Sequence, residues 1–181
     1  MKKMIILFLL IGAAAGVLRN YYGLATKESP LSTYLSSSKT NYSFLYFGYT
    51  FCPDFCPTTL ARLRPILEEY SIDLVFISLD PKRDTTTHLR NYLLHFHSRM
   101  WAPELTEGAR NNILKHYQVS YQINSPAADK DYYTVDHTTD FFLIDKKGQI
   151  LATFAHDDDI QKIKKTLNSI LQKPLIKQET L

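Results

Sequence analysis

Residues 42–69 read YSFLYFGYTFCPDFCPTTLARLRPILEE and predict a strand, a short loop and a helix in succession. The aromatic and apolar run at 43–49 is typical of a strand that is buried on both faces of a central sheet. The residues after the loop have helical spacing, with Cys56 as the expected cap. Cys52 and Cys56 both lie in the loop, at the carboxyl edge of the sheet, where folds of this class place their sites.

The rest of the chain continues the alternation of strands and helices. The expected elements are a buried strand at 73–80, helices at 85–99 and 107–117, a loop or hairpin at 122–134, strands at 140–145 and 149–154, and a final helix at 158–171. This order predicts a thioredoxin-like α/β domain, in which helices flank a central mixed sheet.

The chain of 181 residues has the size of one domain with a leader. We expect an N-terminal signal or membrane anchor at 1–23, a linker at 24–41, the thioredoxin-like domain at 42–172 and a C-terminal tail at 173–181. The formal net charge of +3 is spread along the chain. The mild lysine cluster near the C-terminus is therefore interpreted as a solvated helix face, and we expect no nucleic-acid partner.

The leader contains an uninterrupted apolar stretch at 4–18. It is shorter than the roughly 20 residues that span a bilayer comfortably, which favours the core of a signal peptide, although retention as a single anchor stays open. Lys2 and Lys3 precede the stretch, so the N-terminus is expected inside the cytoplasm. The globular domain is then expected on the periplasmic, extracytoplasmic side of a bacterial inner membrane or cell envelope.

The two cysteines are the only ones in the chain, and three residues separate them. In an oxidising compartment such a pair is usually a structural disulfide. A bridge that closes so short a loop constrains little of the unfolded chain, which favours a functional pair. Cys52 and Cys56 can either form a small disulfide ring or direct both sulfurs at one soft metal ion.

His137 is the best candidate for a third ligand. It lies in the segment VDHTT at 135–139, in a predicted loop that leads into the closing hairpin and runs beside the cysteines. Two thiolates and one imidazole suit copper, most naturally Cu(I), with Cu(II) also open. Asp136 is either a fourth ligand or, as we favour, the group that orients the imidazole. The positive end of the helix is expected to lower the pKa of Cys56.

Three segments together resemble a known family. They are FGYTFCPDFCPTTL at 47–60, LDPKRDT at 79–85 and VDHT at 135–138. In this combination and order they look like the Sco/SenC family of copper-binding assembly factors for cytochrome c oxidase, over residues 43–172. The resemblance implies a membrane-tethered protein that binds copper through Cys52, Cys56 and His137. It also implies that the protein delivers copper to the copper-bearing subunit of the oxidase, or reduces the thiols of that subunit.

An upstream copper donor or a thiol reductant is a further partner that this role implies.

The alternative function is an extracytoplasmic thiol–disulfide oxidoreductase that uses the same cysteines as a redox couple. Dedicated oxidoreductases carry two residues between their thiols, whereas this chain has three. A peroxidase of the peroxiredoxin kind needs a threonine where this chain has Tyr49. An interaction domain with a structural disulfide is the remaining alternative. We favour a metal carrier that is not an enzyme.

Overall fold

A computed structural model describes residues 28–36, 38–125 and 133–171. The elements in chain order are α1 (Ser32–Leu35), β1 (Tyr42–Gly48), α2 (Phe55–Tyr70), β2 (Asp73–Ser78), α3 (Thr86–Phe96), β3 (Met100–Trp101), α4 (Glu107–His116), β4 (Tyr121–Asn124), β5 (Thr134–His137), β6 (Phe141–Asp145), β7 (Ile150–Phe154) and α5 (Ile160–Leu171). The expected leader at 1–23 and tail at 173–181 lie outside these residues. Within the described ranges, no helix has both the length and the apolar character needed to cross a membrane.

Five strands form the main sheet, in the order β3-β2-β1-β6-β7. The central strand β1 pairs in parallel with β2 and antiparallel with β6, so the sheet is mixed, as predicted. Almost every residue of β1 and β2 is buried, which explains why their sequences do not alternate between polar and apolar residues. Strand β3 was not expected, because two residues are too short to show a periodic pattern.

Helices α3, α4 and α5 are shorter than the sequence predicts, and side-chain caps explain where α3 and α4 begin. The hydroxyl of Thr85 accepts the backbone N–H of His88 at the start of α3, and Thr106 does the same at the start of α4. Helix α2 begins at Phe55, two residues earlier than expected. The prediction that Cys56 caps this helix is therefore wrong, because Cys56 lies inside the first turn.

Part of the expected linker at 24–41 belongs to the folded domain. Ser29, Leu31 and Leu35 are buried, and the two leucines join the main hydrophobic core. The backbone N–H of Ser29 also donates to the carbonyl of Lys147 at 3.1 Å. The sequence pattern did not reveal this docking, because Leu31, Leu35 and the partly buried Tyr34 make the contact from an otherwise polar segment.

Candidate metal centre

The two cysteines lie between the end of β1 and the first turn of α2. Both are free thiols; Cys56 is completely buried and Cys52 is 9% exposed. The backbone N–H of Cys56 donates to Sγ of Cys52 at 3.4 Å. Because the helix begins before Cys56, Cys52 is the thiol that receives an otherwise unpaired N–H group of the first helical turn.

Gly48 lets the sulfur of Cys56 lie directly against β1. A Cβ atom at this position would come within 2.8 Å of Cys56 Sγ and 3.1 Å of the Tyr46 ring. No side chain larger than hydrogen fits there without moving the sulfur. The phenol oxygen of Tyr46 lies 3.6 Å from the same sulfur, and burial raises the pKa of Tyr46, so the phenol keeps its proton.

His137 approaches the cysteines from β5, and its Nε2 lies 4.0 Å from Cys56 Sγ. It is the last residue of a strand that pairs with β4, whereas the sequence analysis places it in a loop. Its Nδ1 lies 2.6 Å from the carbonyl of Thr138. A carbonyl only accepts, so this bond assigns the imidazole proton to Nδ1 and leaves the lone pair of Nε2 facing the sulfur.

Asp136 does not orient the imidazole, so that prediction is wrong. Side chains alternate along β5, which buries Val135, exposes Asp136 and half-buries His137. The Asp136 carboxylate is exposed and accepts a hydrogen bond from Asn124 at 2.6 Å. The backbone carbonyl of Thr138 orients the imidazole in its place.

The two thiols differ in acidity, and the order is the reverse of the prediction. A hydrogen bond from the Cys56 thiol, helped by the backbone N–H groups of Cys56 and Asp54, lowers the pKa of Cys52 to about 5. The Cys52 sulfur and complete burial both raise the pKa of Cys56. Cys52 is consequently the thiolate at neutral pH, and Cys56 is its hydrogen-bond donor.

The arrangement of sulfurs and imidazole is compatible with a single metal ion. Bonds from thiolate and imidazole to a first-row metal are about 2.3 and 2.0 Å long, so one ion can bridge two atoms that lie 4.0 Å apart. Among the described residues, no three Cys, His, Asp or Glu side chains already stand as a converged ligand cluster. Small rotations of the side chains are thus needed to bring both sulfurs and the imidazole within bonding distance of one ion. A cavity of about 280 Å³ gives access from solvent and is lined by Cys52 and His137.

The loop after β2, residues 79–85, supports the cysteine loop from one side. The buried carboxylate of Asp84 accepts the backbone N–H of Thr50 at 3.2 Å and its hydroxyl at 2.5 Å. It also accepts the hydroxyl of Ser78 at 2.6 Å. Burial raises the pKa of Asp84, and these hydrogen bonds oppose the increase. Asp84 thereby fixes the backbone two residues before Cys52.

The same loop also supports the strand that carries His137. The carboxylate of Asp80 is buried and accepts the hydroxyl of Tyr133 at 2.7 Å. Arg83 forms an ion pair with Asp80, donates to the carbonyl of Tyr133 at 3.0 Å and stacks over its ring at 3.5 Å. The LDPKRDT segment of the sequence analysis therefore holds the two halves of the site in place, a role that sequence spacing did not reveal.

Exposed aromatic side chains form the rim of the site. Phe51 and Phe55 are 52% and 46% exposed, and they flank Cys52 along the chain. Phe51 stacks on His88 with ring centroids 5.5 Å apart, and Phe55 meets the ring of His156 edge-on at 4.9 Å. Two histidines outside the predicted ligand set thus lie at this rim, because tertiary packing brings them there.

Fold and site together define a thioredoxin-like protein with a dithiol and an imidazole at the carboxyl edge of its sheet. The chain belongs to the SCO1/SenC family, whose family model matches residues 20–172. The resemblance found in the sequence is therefore confirmed.

Individual relatives agree with this assignment. A SCO2-like protein of Rickettsia felis is 37% identical over 69% of this chain and 63% of its own length. The chain thus spans less than two thirds of that relative. The crystal structure of Arabidopsis thaliana ScoI with copper bound matches with a TM-score of 0.67 and 25% identity, over 77% of this chain and 89% of the other. Yeast Sco1 with copper bound matches with a TM-score of 0.64 and 28% identity, over 81% and 83%.

Proposed function

We propose that this protein is a copper carrier that binds one copper ion through Cys52, Cys56 and His137. The observation that carries the proposal is the 4.0 Å separation between Cys56 Sγ and His137 Nε2, with Cys52 hydrogen-bonded to Cys56 at the same sheet edge. Two soft sulfurs and an imidazole suit Cu(I), and the imidazole also allows Cu(II). The copper-bound structures of the related Arabidopsis and yeast proteins support this choice of metal.

The proposed recipient is the copper-bearing subunit of a cytochrome c oxidase, and an upstream copper donor would load the site. Membership of the SCO1/SenC family supports this role. Cys52 lines the open cavity, whereas Cys56 is completely buried. A sulfur ligand of the recipient would thus reach the copper from the Cys52 side, between the exposed rings of Phe51 and Phe55.

We place the copper-binding domain outside the cytoplasm, on the periplasmic side of the membrane. The apolar stretch at 4–18 and the preceding Lys2 and Lys3 support this location. An enzyme reporter that works only outside the cytoplasm, fused after Leu181, is expected to be active. Activity of a reporter that works only in the cytoplasm would contradict the proposed topology.

Thiol–disulfide exchange is the second candidate, and the acidity of Cys52 favours it. A thiol whose pKa is lowered to about 5 is ionised at neutral pH and is a nucleophile. In that reaction the Cys52 thiolate attacks a partner disulfide and forms a mixed disulfide. Cys56 then attacks Cys52, which releases the reduced partner and leaves the Cys52–Cys56 disulfide. This reaction would reduce a disulfide of the same oxidase subunit to its two thiols.

Copper binding by the full chain tests the first candidate. The protein is purified in a mild detergent under reducing conditions, and bound copper is measured per chain. We expect one copper ion in the reduced protein. We expect none in the disulfide form or in the double variant Cys52→Ser, Cys56→Ser, because both lack the thiolate ligands. Equal copper retention by all three would contradict the proposed site.

Cells that lack the protein separate the two candidates. Loss of a carrier is expected to reduce oxidase activity at low copper, and added copper should restore part of it. A general misoxidation of exported proteins, with oxidase activity unchanged at every copper concentration, would instead favour the oxidoreductase.

A further inference from the structure

The sulfur of Cys56 has a hydrogen-bond donor on the side away from His137. The Tyr46 phenol oxygen lies 3.6 Å from Sγ, within reach for an O–H···S hydrogen bond because sulfur is larger than oxygen. Tyr46 and Cys56 are both completely buried, so water does not compete for either group. The phenol can therefore act on this sulfur whether or not the sulfur also binds a metal.

The surroundings hold the phenol in this position. Tyr46 lies on the central strand β1, and its ring packs edge-on against Phe76 of β2 with centroids 5.8 Å apart. Gly48 leaves the space in which the sulfur and the Tyr46 ring come together. A ring that is packed on a rigid strand loses little further entropy when its hydroxyl forms a hydrogen bond.

We propose that Tyr46, by donating a hydrogen bond to the Cys56 sulfur, sets the preference of the site for Cu(I) over Cu(II). This inference rests on the proposed function, since it requires Cys56 to be a copper ligand. A hydrogen bond draws electron density away from a thiolate sulfur. Cu(II) depends more strongly than Cu(I) on that density, so the bond weakens Cu(II) binding more. Tyr46 is thus a positioning residue that acts through its ligand and does not contact the metal.

Tyr46→Phe is the direct test, because it removes only the hydroxyl from a side chain of the same shape. Tyr92→Phe is the matched control. Tyr92, on α3, also has a buried hydroxyl, which has no hydrogen-bond partner among the described residues. Burial raises the pKa of Tyr92, and the nearby Cys56 and Cys52 raise it further, so this phenol shares the surroundings of the dithiol without a hydrogen bond to sulfur. The full-length wild type and both variants are prepared reduced and metal-free. Their unfolding temperatures are compared first, to confirm that each variant folds.

Cu(I) and Cu(II) affinities are then measured by competition with chelators, and the visible absorption of the Cu(II) forms is recorded. For Tyr46→Phe we expect the ratio of Cu(II) to Cu(I) affinity to rise about tenfold, within the range seen when a partner of a metal ligand is removed. The thiolate-to-Cu(II) charge-transfer band should move to longer wavelength, because the sulfur becomes a better electron donor. Tyr92→Phe should match the wild type in both measurements.

The outcomes separate this inference from the proposed function. If the wild type binds copper and Tyr46→Phe leaves both the affinity ratio and the band unchanged, Tyr46 has no tuning role and the carrier proposal stands. An equal change in Tyr92→Phe would also overturn the assignment to Tyr46, since it would reflect general loss of buried hydroxyls. If the reduced wild type binds no copper, the proposed function fails and this inference fails with it.

Discussion

The two ends of the main sheet use tyrosine hydroxyls in different ways. At the end remote from the cysteines, the hydroxyl of Tyr117 donates to the carbonyl of Gly148 at 2.7 Å and accepts from Ser29 at 3.0 Å. At the cysteine end, the phenol of Tyr46 has a sulfur as its neighbour, at 3.6 Å. The hydroxyl of Tyr92 has no hydrogen-bond partner among the described residues.

The hydrogen bonds at the remote end stabilise the fold, whereas the contacts at the cysteine end serve the chemistry of the site. Near Gly148 the groups are saturated with short oxygen and nitrogen contacts, which lock the turn between β6 and β7 to the segment before β1. Near Cys56 the contacts are longer and involve sulfur, which leaves the sulfur and the imidazole able to bind a metal ion. We therefore expect changes at the remote end to lower stability, and changes at the cysteine end to alter metal binding and reactivity.

The largest effect is expected from His137→Ala. Removal of a ligand should weaken copper binding more than 100-fold, and a factor of 100 corresponds to about 2.7 kcal/mol. Removal of a residue that only hydrogen-bonds to a ligand typically weakens metal binding about 10- to 100-fold. The fold should persist, because the imidazole is only half-buried and supplies little packing. Chelator competition measures the affinity, with the exposed His95 on α3, changed to Ala, as the control. Equal affinities of the two variants would exclude His137 as the third ligand.

A smaller effect, on stability alone, is expected from Tyr117→Phe. This change leaves the buried Ser29 hydroxyl and the Gly148 carbonyl without their partner, so the free energy of unfolding should fall by about 2 kcal/mol. Denaturant titration of the metal-free protein measures the loss. Copper affinity should stay at the wild-type value. A change in copper affinity, with stability unaffected, would contradict the division between the two ends of the sheet.

The smallest effect concerns the reactivity of Cys52. Its pKa is lowered to about 5, so the thiolate is present above that pH and is protonated below it. Alkylation of the reduced, metal-free protein should therefore slow about tenfold between pH 6 and pH 4. Mass spectrometry at a series of pH values measures the rate at each cysteine. Cys56→Ala should move the midpoint to higher pH, because the Cys56 thiol is the main cause of the shift. A wild-type midpoint near pH 9 would contradict this order of acidities.

Local pattern was sufficient to predict most elements but not their boundaries. The buried runs in β1 and β2 and the apolar stripe Leu89 and Leu93 of α3 follow from spacing along the chain. The start of α2 differs by two residues from the prediction, and this difference decides which cysteine accepts a helical N–H group. The boundary error contributes to the reversed order of acidity, but the main cause is the hydrogen bond from the Cys56 thiol to Cys52.

The sequence by itself determined the class of the domain and the candidate ligands, because both depend on residue type and on spacing within short segments. The cysteine pair, the buried strand before it and the helix after it place the thiols at one sheet edge. Only the tertiary structure decided how the groups there act on one another. Cys56 and His137 are 81 positions apart, and their contact depends on how β5 packs against the cysteine loop. The roles of Tyr46 and of the Thr138 carbonyl arise in the same way, since neither residue type signals a metal site until packing places it beside a ligand.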